Sequence, residues 1–325
     1  MTRTPSMLRR ALTWGLGLSL AGSALAQGTW PSKPITFIVP FTAGSATDVL
    51  ARLYAEKLSS RLGQSILVDN KVGAGGTIGT AQVARSAPDG HTFVVVSTGH
   101  VVNPVLYSNL TYKLSDLSAV SPLGSLPSAL VAAPKLGVKT VKELVDKIRA
   151  TPEGMSYASA GIGSAAHVNA AKFVDGLKLK GNHVPYKGTP QMLVDIAGNN
   201  VDYVFAPLIS SVTMIRENKV VFLAVSSEKR AVAFPNVPTM AEAGFPEGQF
   251  NFWIAMLAPA NTPAHILQRM NREISAVMDL PEVREKMEGL GALPFKMEPA
   301  AFDKFVEQEA ATLGTVMRNS GAKAE

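Results

Sequence analysis

Two stretches of the chain combine residue types that can bind an anion. The first, residues 35–48, begins with a short β-branched and aromatic run, as expected for a parallel strand that is covered on both faces. Gly44 then permits a turn, and a helix follows. A helix N-terminus presents free backbone N–H groups and the positive end of its dipole, so it can bind an anion without Arg or Lys. The predicted ligand contacts in this stretch are Phe41, Thr42, Ala43, Gly44, Ser45, Thr47 and Asp48.

Ser45 and Asp48 also have the spacing of a capping box, in which the serine accepts from a first-turn amide and the acid reaches back. From the sequence alone, capping and ligand contact have about equal weight for either side chain. The backbone of the turn is therefore the better candidate for holding the ligand.

The second stretch, residues 156–167, repeats the order of strand, glycine-rich turn and helix start. Ligands of open α/β sheets lie beyond the carboxyl ends of the strands, so two such helix starts could clamp a small anion between two lobes. For Ser164, capping alone is an even alternative. For His167, a structural role near the helix start is the favoured alternative. The predicted ligand contacts in this stretch are Ser159, Ala160, Gly161, Gly163, Ser164 and His167.

Other candidates lie at further strand ends. Lys187, in a turn with Gly188 and Thr189, could offer a positive charge to a second carboxylate, although a solvated lysine is the commoner outcome. Ser97 and Thr98 follow a strand of the first lobe and could donate hydroxyl hydrogen bonds.

Residue types for catalysis or metal binding are poorly arranged. The five histidines lack zinc-protease spacing, and the chain has no cysteine. Ser164 is not inside a Gly-x-Ser-x-Gly motif, since Ala166 occupies the final position. The glycine run 73–76 lacks the lysine of a P-loop and is interpreted as a turn. We predict no enzymatic activity, no metal and no cofactor, although a Ser-His-Asp set could still assemble in space.

The first 26 residues have the pattern of a signal peptide. Arg3, Arg9 and Arg10 precede the apolar run 11–22, and Ala24-Leu25-Ala26, with small residues at its first and third positions, forms a cleavage site. We therefore predict a soluble periplasmic protein, and the lack of cysteine excludes a lipid anchor on an N-terminal cysteine. The formal net charge is +6, half of it from these three arginines, and no basic cluster indicates nucleic-acid binding.

Strands and helices alternate along the rest of the chain, which predicts an α/β fold with mostly parallel sheets. The length suggests two domains. Prolines and small residues break the pattern between residues 119 and 133, which we interpret as a crossing between them. The predicted division is a signal peptide (1–26), a first lobe (27–125), a second lobe (126–227) and a return to the first lobe (228–325).

Several motifs, in this order and spacing, make the chain resemble the Bug-type extracytoplasmic solute receptors of tripartite tricarboxylate transporters. They are residues 30–35, 40–48, 68–76, 88–90, 159–167, 184–188, 235–244 and 259–263. The resemblance implies a two-lobe periplasmic-binding-protein fold of type II (venus flytrap), with a sheet and flanking helices in each lobe. It also implies that backbone amides, hydroxyls and ordered water from both lobes hold a small carboxylate.

The resemblance carries binding roles onto particular residues. The two glycine turns would hold the common carboxylate. The rest of the pocket would be shaped by Ser97, Thr98, the loop 187–190 and the strand end at Phe205 and Ala206. The chain departs from the family at Ser45, where a second glycine is usual. A serine there narrows the pocket or adds a hydroxyl.

These observations predict a monomeric periplasmic solute-binding protein. It would capture a small mono- or dicarboxylate and deliver it to the membrane permease subunits of a tripartite tricarboxylate-type transporter. Two alternatives stay open, a ligand-sensing co-receptor for a membrane histidine kinase and an exported hydrolase.

Overall fold

The computed structural model describes residues 30–324 of the chain. The predicted signal peptide, residues 1–26, lies outside the described residues. Within the described part, no helix has the length and apolar character that a membrane crossing requires.

Strands and helices alternate, as the sequence predicts. The strands are β1 (Ile35–Val39), β2 (Ile66–Asn70), β3 (Thr92–Ser97), β4 (Leu117–Ala132), β5 (Met155–Ser159), β6 (Gly181–Pro185), β7 (Tyr203–Pro207), β8 (Val221–Val225) and β9 (Asn251–Pro259). The helices are α1 (Ala46–Leu62), α2 (Thr77–Ala84), α3 (Asn103–Leu106), α4 (Val141–Arg149), α5 (Ala165–Gly176), α6 (Thr189–Ala197), α7 (Leu208–Arg216), α8 (Ala264–Met278), α9 (Pro281–Gly289) and α10 (Pro299–Asn319).

The strands form two sheet regions that share β4. The order is β2-β1-β3-β9-β4-β7-β5-β6, and β8 also pairs with β4. In the first lobe, β1 is parallel to β2 and β3. In the second lobe, β5 is parallel to β6 and β7. Helices α1 and α5 each follow the central strand of a parallel set, so their N-termini lie at the carboxyl ends of β1 and β5.

Helix α1 shows how the sequence determines this placement. Its predicted apolar stripe, which includes Leu50, Tyr54 and Leu58, is fully buried against the first-lobe sheet. Gly63 ends the helix in a left-handed conformation with φ 68°, as predicted from its position. The buried stripe sets the rotation of the helix and therefore the direction in which its N-terminus points.

The segment interpreted as a domain crossing is one strand of 16 residues, β4. Its first half pairs with β9, and its second half pairs with β7 and β8 in the other lobe. The sequence did not predict a strand here because Pro122 and Pro127 have no backbone N–H to donate to a neighbouring strand. The pairing of β4 with β9 shifts register at two places, one of them between Pro122 and Gly124. Such a shift leaves a residue unpaired, as in a β-bulge, and so tolerates the missing N–H of a proline.

Each lobe has its own hydrophobic core. The first-lobe core extends to Leu126, resumes at Phe250, and also includes Ala165, Val168, Ala171 and Ile209, by which α5 and α7 of the second lobe pack against it. Ala231 and Met240 pack in the second-lobe core. Because these residues follow position 228, we propose that the chain returns to the first lobe near Phe250 instead of at 228.

Candidate ligand-binding site between the lobes

The first candidate binding element is the start of α1. Ser45 is the N-cap, with φ −66° and ψ 159°, and its Oγ accepts from the amide of Asp48 at 3.3 Å. The Asp48 carboxylate in turn accepts from the Gly44 amide at 2.9 Å. Both side chains therefore cap the helix. The amides of Ala46 and Thr47 come before the first helical acceptor and stay available to a ligand.

The Asp48 carboxylate has a full set of partners. Arg52 Nε donates to both of its oxygens at 3.0 Å, and Asn70 Nδ2 donates to Oδ1 at 2.9 Å. Burial raises the pKa of Asp48, but the hydrogen bonds from Arg52, Gly44 and Asn70 together with the Arg52 charge outweigh it and lower the pKa overall. Asp48 is therefore an ionised residue that holds the turn, and its charge is balanced.

The start of α5 has the same arrangement in the second lobe. Ser164 is the N-cap, with φ −64° and ψ 158°, and its Oγ accepts from the amide of His167 at 3.3 Å. The Gly163 amide donates to His167 Nδ1 at 3.1 Å. The amides of Ala165 and Ala166 come before the first helical acceptor, as in α1.

His167 belongs to a buried stack. Its ring lies parallel to that of His183, with 4.0 Å between centroids and 6° between planes. Burial, followed by the charge of His183, lowers the pKa of His167 to about 3, and burial lowers the pKa of His183 to about 4. Both rings are therefore neutral near pH 7, and His167 can accept the Gly163 N–H.

The two helix starts line one narrow cavity of about 20 Å³. This volume is about that of a single water site. Six of its lining residues are the N-cap and first two residues of each helix, namely Ser45, Ala46, Thr47, Ser164, Ala165 and Ala166. Of these six, Ser45, Thr47 and Ser164 were predicted as ligand contacts, whereas Ala46, Ala165 and Ala166 were not. The cavity is also lined by the predicted residues Phe41, Ser97, Ala160 and Thr189.

A wider cavity of about 510 Å³ adjoins the narrow one, and Phe41 and Ala160 line both. It lies between the lobes and contains predicted residues Gly161 and Lys187. Ligand pockets typically have about 300–1,000 Å³, so this one is large enough for the body of a small organic molecule.

The lobes touch at several described glycines where a Cβ would overlap the opposite lobe. A Cβ on Gly75 would overlap the carbonyl of Ile162, and one on Gly99 would overlap the carbonyl of Gly163. At Gly188 it would overlap the Thr42 hydroxyl of the first lobe. The structure is therefore a closed arrangement, in which close approach depends on missing side chains.

Some predicted ligand contacts do not reach either cavity. Thr98 is fully buried, and its Oγ1 accepts from the Trp253 amide at 2.8 Å, so it joins two regions of the first lobe. Phe205 packs on Phe173 in the second-lobe core, with ring centroids 5.2 Å apart, and Ala206 is buried on the opposite face of the strand. Ala43 is exposed at the turn. The side chains of a strand alternate between faces, and the sequence does not show which face meets a cleft.

Several residues that line the wider cavity were not predicted. The glycine run 73–76 forms one wall, although the sequence suggested a turn only. Its position directly after β2 was an available signal, because the carboxyl ends of parallel neighbours meet at one edge. Tyr107 and Lys323 also line this cavity, and no local motif marks them.

The described residues do not assemble a catalytic or metal site. Within residues 30–324, no three His, Asp or Glu side chains cluster as metal ligands. Ser159 Oγ lies 2.7 Å from His183 Nε2, but Ser159 is fully buried and also bonds to Gly161. None of the described carboxylates is hydrogen-bonded to this histidine, so the pair lacks the third member of a triad.

Comparisons with known proteins agree with this architecture. The family model described as "Tripartite tricarboxylate transporter family receptor" matches residues 50–322. Protein BugT of Bordetella pertussis is 35% identical over 98% of this chain and 99% of its own length. The solved periplasmic binding protein BugD is 32% identical with TM-score 0.86, covering 91% of this chain and 100% of that one.

A solved protein of R. palustris, Rpa4515 with adipate, is also 32% identical, with TM-score 0.87 over 91% of this chain and 100% of that chain. The likeness to BugD and Rpa4515 confirms the predicted two-lobe periplasmic-binding-protein fold. The family consists of solute-binding receptors and not of enzymes. The chain belongs to the tripartite tricarboxylate transporter receptor family.

Proposed function

We propose that this protein is a periplasmic receptor that captures a small carboxylate between its lobes and delivers it to the permease subunits of a tripartite tricarboxylate-type transporter. The observation that carries the proposal is the narrow cavity, where the N-termini of α1 and α5 meet from opposite lobes. Adipate, the molecule in the structure of Rpa4515, is a dicarboxylate, which supports this ligand class.

Backbone groups supply the attraction for the carboxylate. The amides of Ala46 and Thr47 in one lobe and of Ala165 and Ala166 in the other lack helical acceptors. Each helix adds the positive end of its dipole, which stabilises an anion by about 0.3–1 kcal/mol, and more where the site is partly buried. The described residues of the narrow cavity include no Arg or Lys, so binding through amides fits the site.

The cap serines serve the helix and the ligand together. A hydroxyl has one donor and two acceptor positions. Ser45 Oγ and Ser164 Oγ each accept from a first-turn amide, so their O–H groups remain free to donate. Capping and ligand contact, which the sequence presented as alternatives, are therefore compatible.

Closure follows from the position of the two helix starts in different lobes. A carboxylate held by both links the lobes and stabilises the closed arrangement relative to an open one. The narrow cavity has room for about one water in this structure, so the lobes must separate slightly for it to hold the acidic group. The adjoining wider cavity receives the rest of the molecule past Phe41 and Ala160.

Thermal shift and calorimetry on the purified protein test ligand capture. The probes are succinate, glutarate, adipate, hexanoate and the neutral adipamide. We expect one or more carboxylates to raise Tm, since ligand at a hundredfold excess over Kd adds about 2.7 kcal/mol to the free energy of unfolding. Adipamide should have no effect. Equal binding of adipamide and adipate, or no binding by any carboxylate, would contradict the anion clamp.

Uptake by the source bacterium tests delivery. Deletion of the gene should abolish uptake of the carboxylate that binds, and the intact gene should restore it. A deletion strain that takes up the carboxylate normally but no longer changes transcription in response to it would overturn delivery in favour of sensing.

A further inference from the structure

The wider cavity contains positive charge at its walls and no described acidic residue. Lys187 comes from the turn after β6 in the second lobe. Lys323 comes from the C-terminal segment, residues 320–324, which follows α10 in the first lobe. The two lysines thus line one cavity from opposite lobes.

The backbone of the C-terminal segment is fixed beside this cavity. The Ala324 amide donates to the Leu106 carbonyl at 2.9 Å, and Ala324 forms a parallel bridge with Tyr107. Tyr107 in turn donates its hydroxyl to the Ile162 carbonyl of the second lobe at 3.2 Å. The backbone next to Lys323 is therefore held by hydrogen bonds close to where the lobes meet.

Neither lysine forms an ion pair with a described carboxylate, although both side chains are exposed. Exposed lysines elsewhere do form such pairs, as Lys33 does with Asp89 at 2.9 Å. Two ammonium groups that form no ion pair within residues 30–324 repel each other at one cavity and attract an anion. The cavity therefore favours a second negative charge on the molecule that it holds.

We propose that Lys323 and Lys187 together bind the second acidic group of a dianionic ligand, so that the C-terminal segment determines specificity. This inference rests on the proposed function, because the first acidic group occupies the narrow cavity. The selected class is a small molecule with two carboxylates separated by an aliphatic chain, in preference to a monocarboxylate of equal length. Since the lysines belong to different lobes, the second acid also links the lobes.

Calorimetry with matched ligands tests this role. The probes are succinate, glutarate, adipate and pimelate, each paired with its monomethyl ester, which keeps the length and one carboxylate. The variants are Lys187→Met and Lys323→Met, which keep the aliphatic stem. Lys304→Met, an exposed lysine on α10 that lines neither cavity, is the matched control. Glu325 is kept in every variant.

We expect the wild type to prefer its best diacid over the monoester by roughly tenfold, about 1.4 kcal/mol for a charge-assisted contact. Each cavity variant should weaken the diacid by about this factor and leave the monoester unchanged. Lys323→Arg should restore the preference, and Lys304→Met should behave as wild type.

The outcomes separate this inference from the proposed function. If the diacid and the monoester bind equally well to the wild type, the role of the lysines is wrong and the anion clamp stands. If Lys323→Met weakens diacid and monoester alike, the segment is structural and not a specificity determinant. If no probe binds to any variant, the proposed function itself fails.

Discussion

The starts of α1 and α5 have almost the same backbone in two different lobes. Their cap serines differ by only 2° in φ and 1° in ψ, from −66° and 159° at Ser45 to −64° and 158° at Ser164. The preceding glycines, Gly44 and Gly163, have φ 78° and 80°. The two lobes therefore present the same backbone conformation, a helix N-terminus suited to binding an anion.

The third helical residue differs between the two starts. Asp48 is ionised and held by Arg52 and Asn70, whereas His167 is neutral and held by its stack on His183. Both accept the amide of the preceding glycine, at 2.9 and 3.1 Å. A carboxylate and a neutral imidazole thus make the same hydrogen bond to the turn. We infer that these side chains fix the turn, and that the backbone amides common to both starts attract the ligand.

The opposite lobe covers the two starts at different positions of the turn. Gly99 of the first lobe has no room for a Cβ against Gly163, whereas a Cβ on Gly44 would meet Pro190 Cγ at 3.6 Å, an ordinary contact. At the α1 start the tight contact lies instead at Thr42, whose hydroxyl a Cβ on Gly188 of the second lobe would overlap. Both sides of the cleft therefore limit closure.

The largest expected effect comes from Gly99→Ala. The added methyl group would overlap the opposite lobe, and overpacking of this kind costs about 1–3 kcal/mol. Because the overlap exists only when the lobes are closed, the variant destabilises the closed state relative to the open one. The Kd for a bound carboxylate should therefore rise roughly 5- to 150-fold. The Tm without ligand should not change, because Gly99 has no positive φ. Calorimetry measures the affinity, and small-angle scattering measures whether ligand still contracts the protein.

Gly289→Ala in α9 is the control for this variant, since no atom lies within 4 Å of the added Cβ. It should bind as wild type. A Gly99→Ala protein that binds and contracts normally would show that the lobes do not close as tightly as the structure has them.

Asp48→Ala should lower the free energy of unfolding by about 2–3 kcal/mol at pH 7, because several charge-assisted hydrogen bonds are lost. The folded pKa of Asp48 is lowered, so its contribution is complete above the unfolded pKa of about 3.9 and is lost as the pH falls through the folded pKa. Denaturant unfolding should show a constant deficit from pH 8 to 5 that shrinks only below about pH 4. A deficit that shrinks near pH 6 would contradict the assigned ionisation of Asp48.

The α5 start should lose stability in a higher pH window. The folded pKa of His167, about 3, lies below its unfolded value of about 6.5. The unfolded chain therefore binds the proton first, and stability falls as the pH drops below 6.5.

His167→Asn keeps an acceptor for Gly163 and should remove roughly 2 kcal/mol of the decline between pH 7 and 4.5. Asp48→Asn is the matched comparison and should leave that decline unchanged. Equal declines in wild type and His167→Asn would show that the histidine is not buried as neutral.

Much of the fold could be predicted because its signals are local. The Leu50, Tyr54 and Leu58 stripe and the Gly63 stop are confirmed in α1. Helix α7 was not predicted, because β7 leads directly into it without a loop. The strand β4 was not predicted because its prolines are tolerated only where the register shifts, a property of its partners.

The residues of the candidate site also separate into those that a local sequence signal predicts and those that depend on distant contacts. The helix starts were found because a glycine before a capping serine is a local signal. Tyr107 and Lys323 meet through a bridge between residues far apart in sequence, so no local pattern could join them. Thr98 follows one predicted strand and Phe205 lies near the end of another, but the directions of their side chains are set by Trp253 and Phe173 of other elements.

The smallest and sharpest comparison is between Ser45→Gly and Ser164→Gly. Glycine is nearly as good an N-cap as serine, so each change should lower stability by only a few tenths of a kcal/mol. If each hydroxyl donates to the carboxylate, each change should also weaken binding by about 1 kcal/mol, roughly fivefold. Calorimetry and denaturant unfolding on both variants separate the two effects. Ser45→Gly introduces the glycine that the family resemblance predicts at this position, so it also tests whether serine narrows the cavity. A gain in affinity on Ser45→Gly with a loss on Ser164→Gly would show that the first hydroxyl obstructs the ligand and the second holds it. The equivalence of the two helix starts would then apply to the backbone and not to the caps.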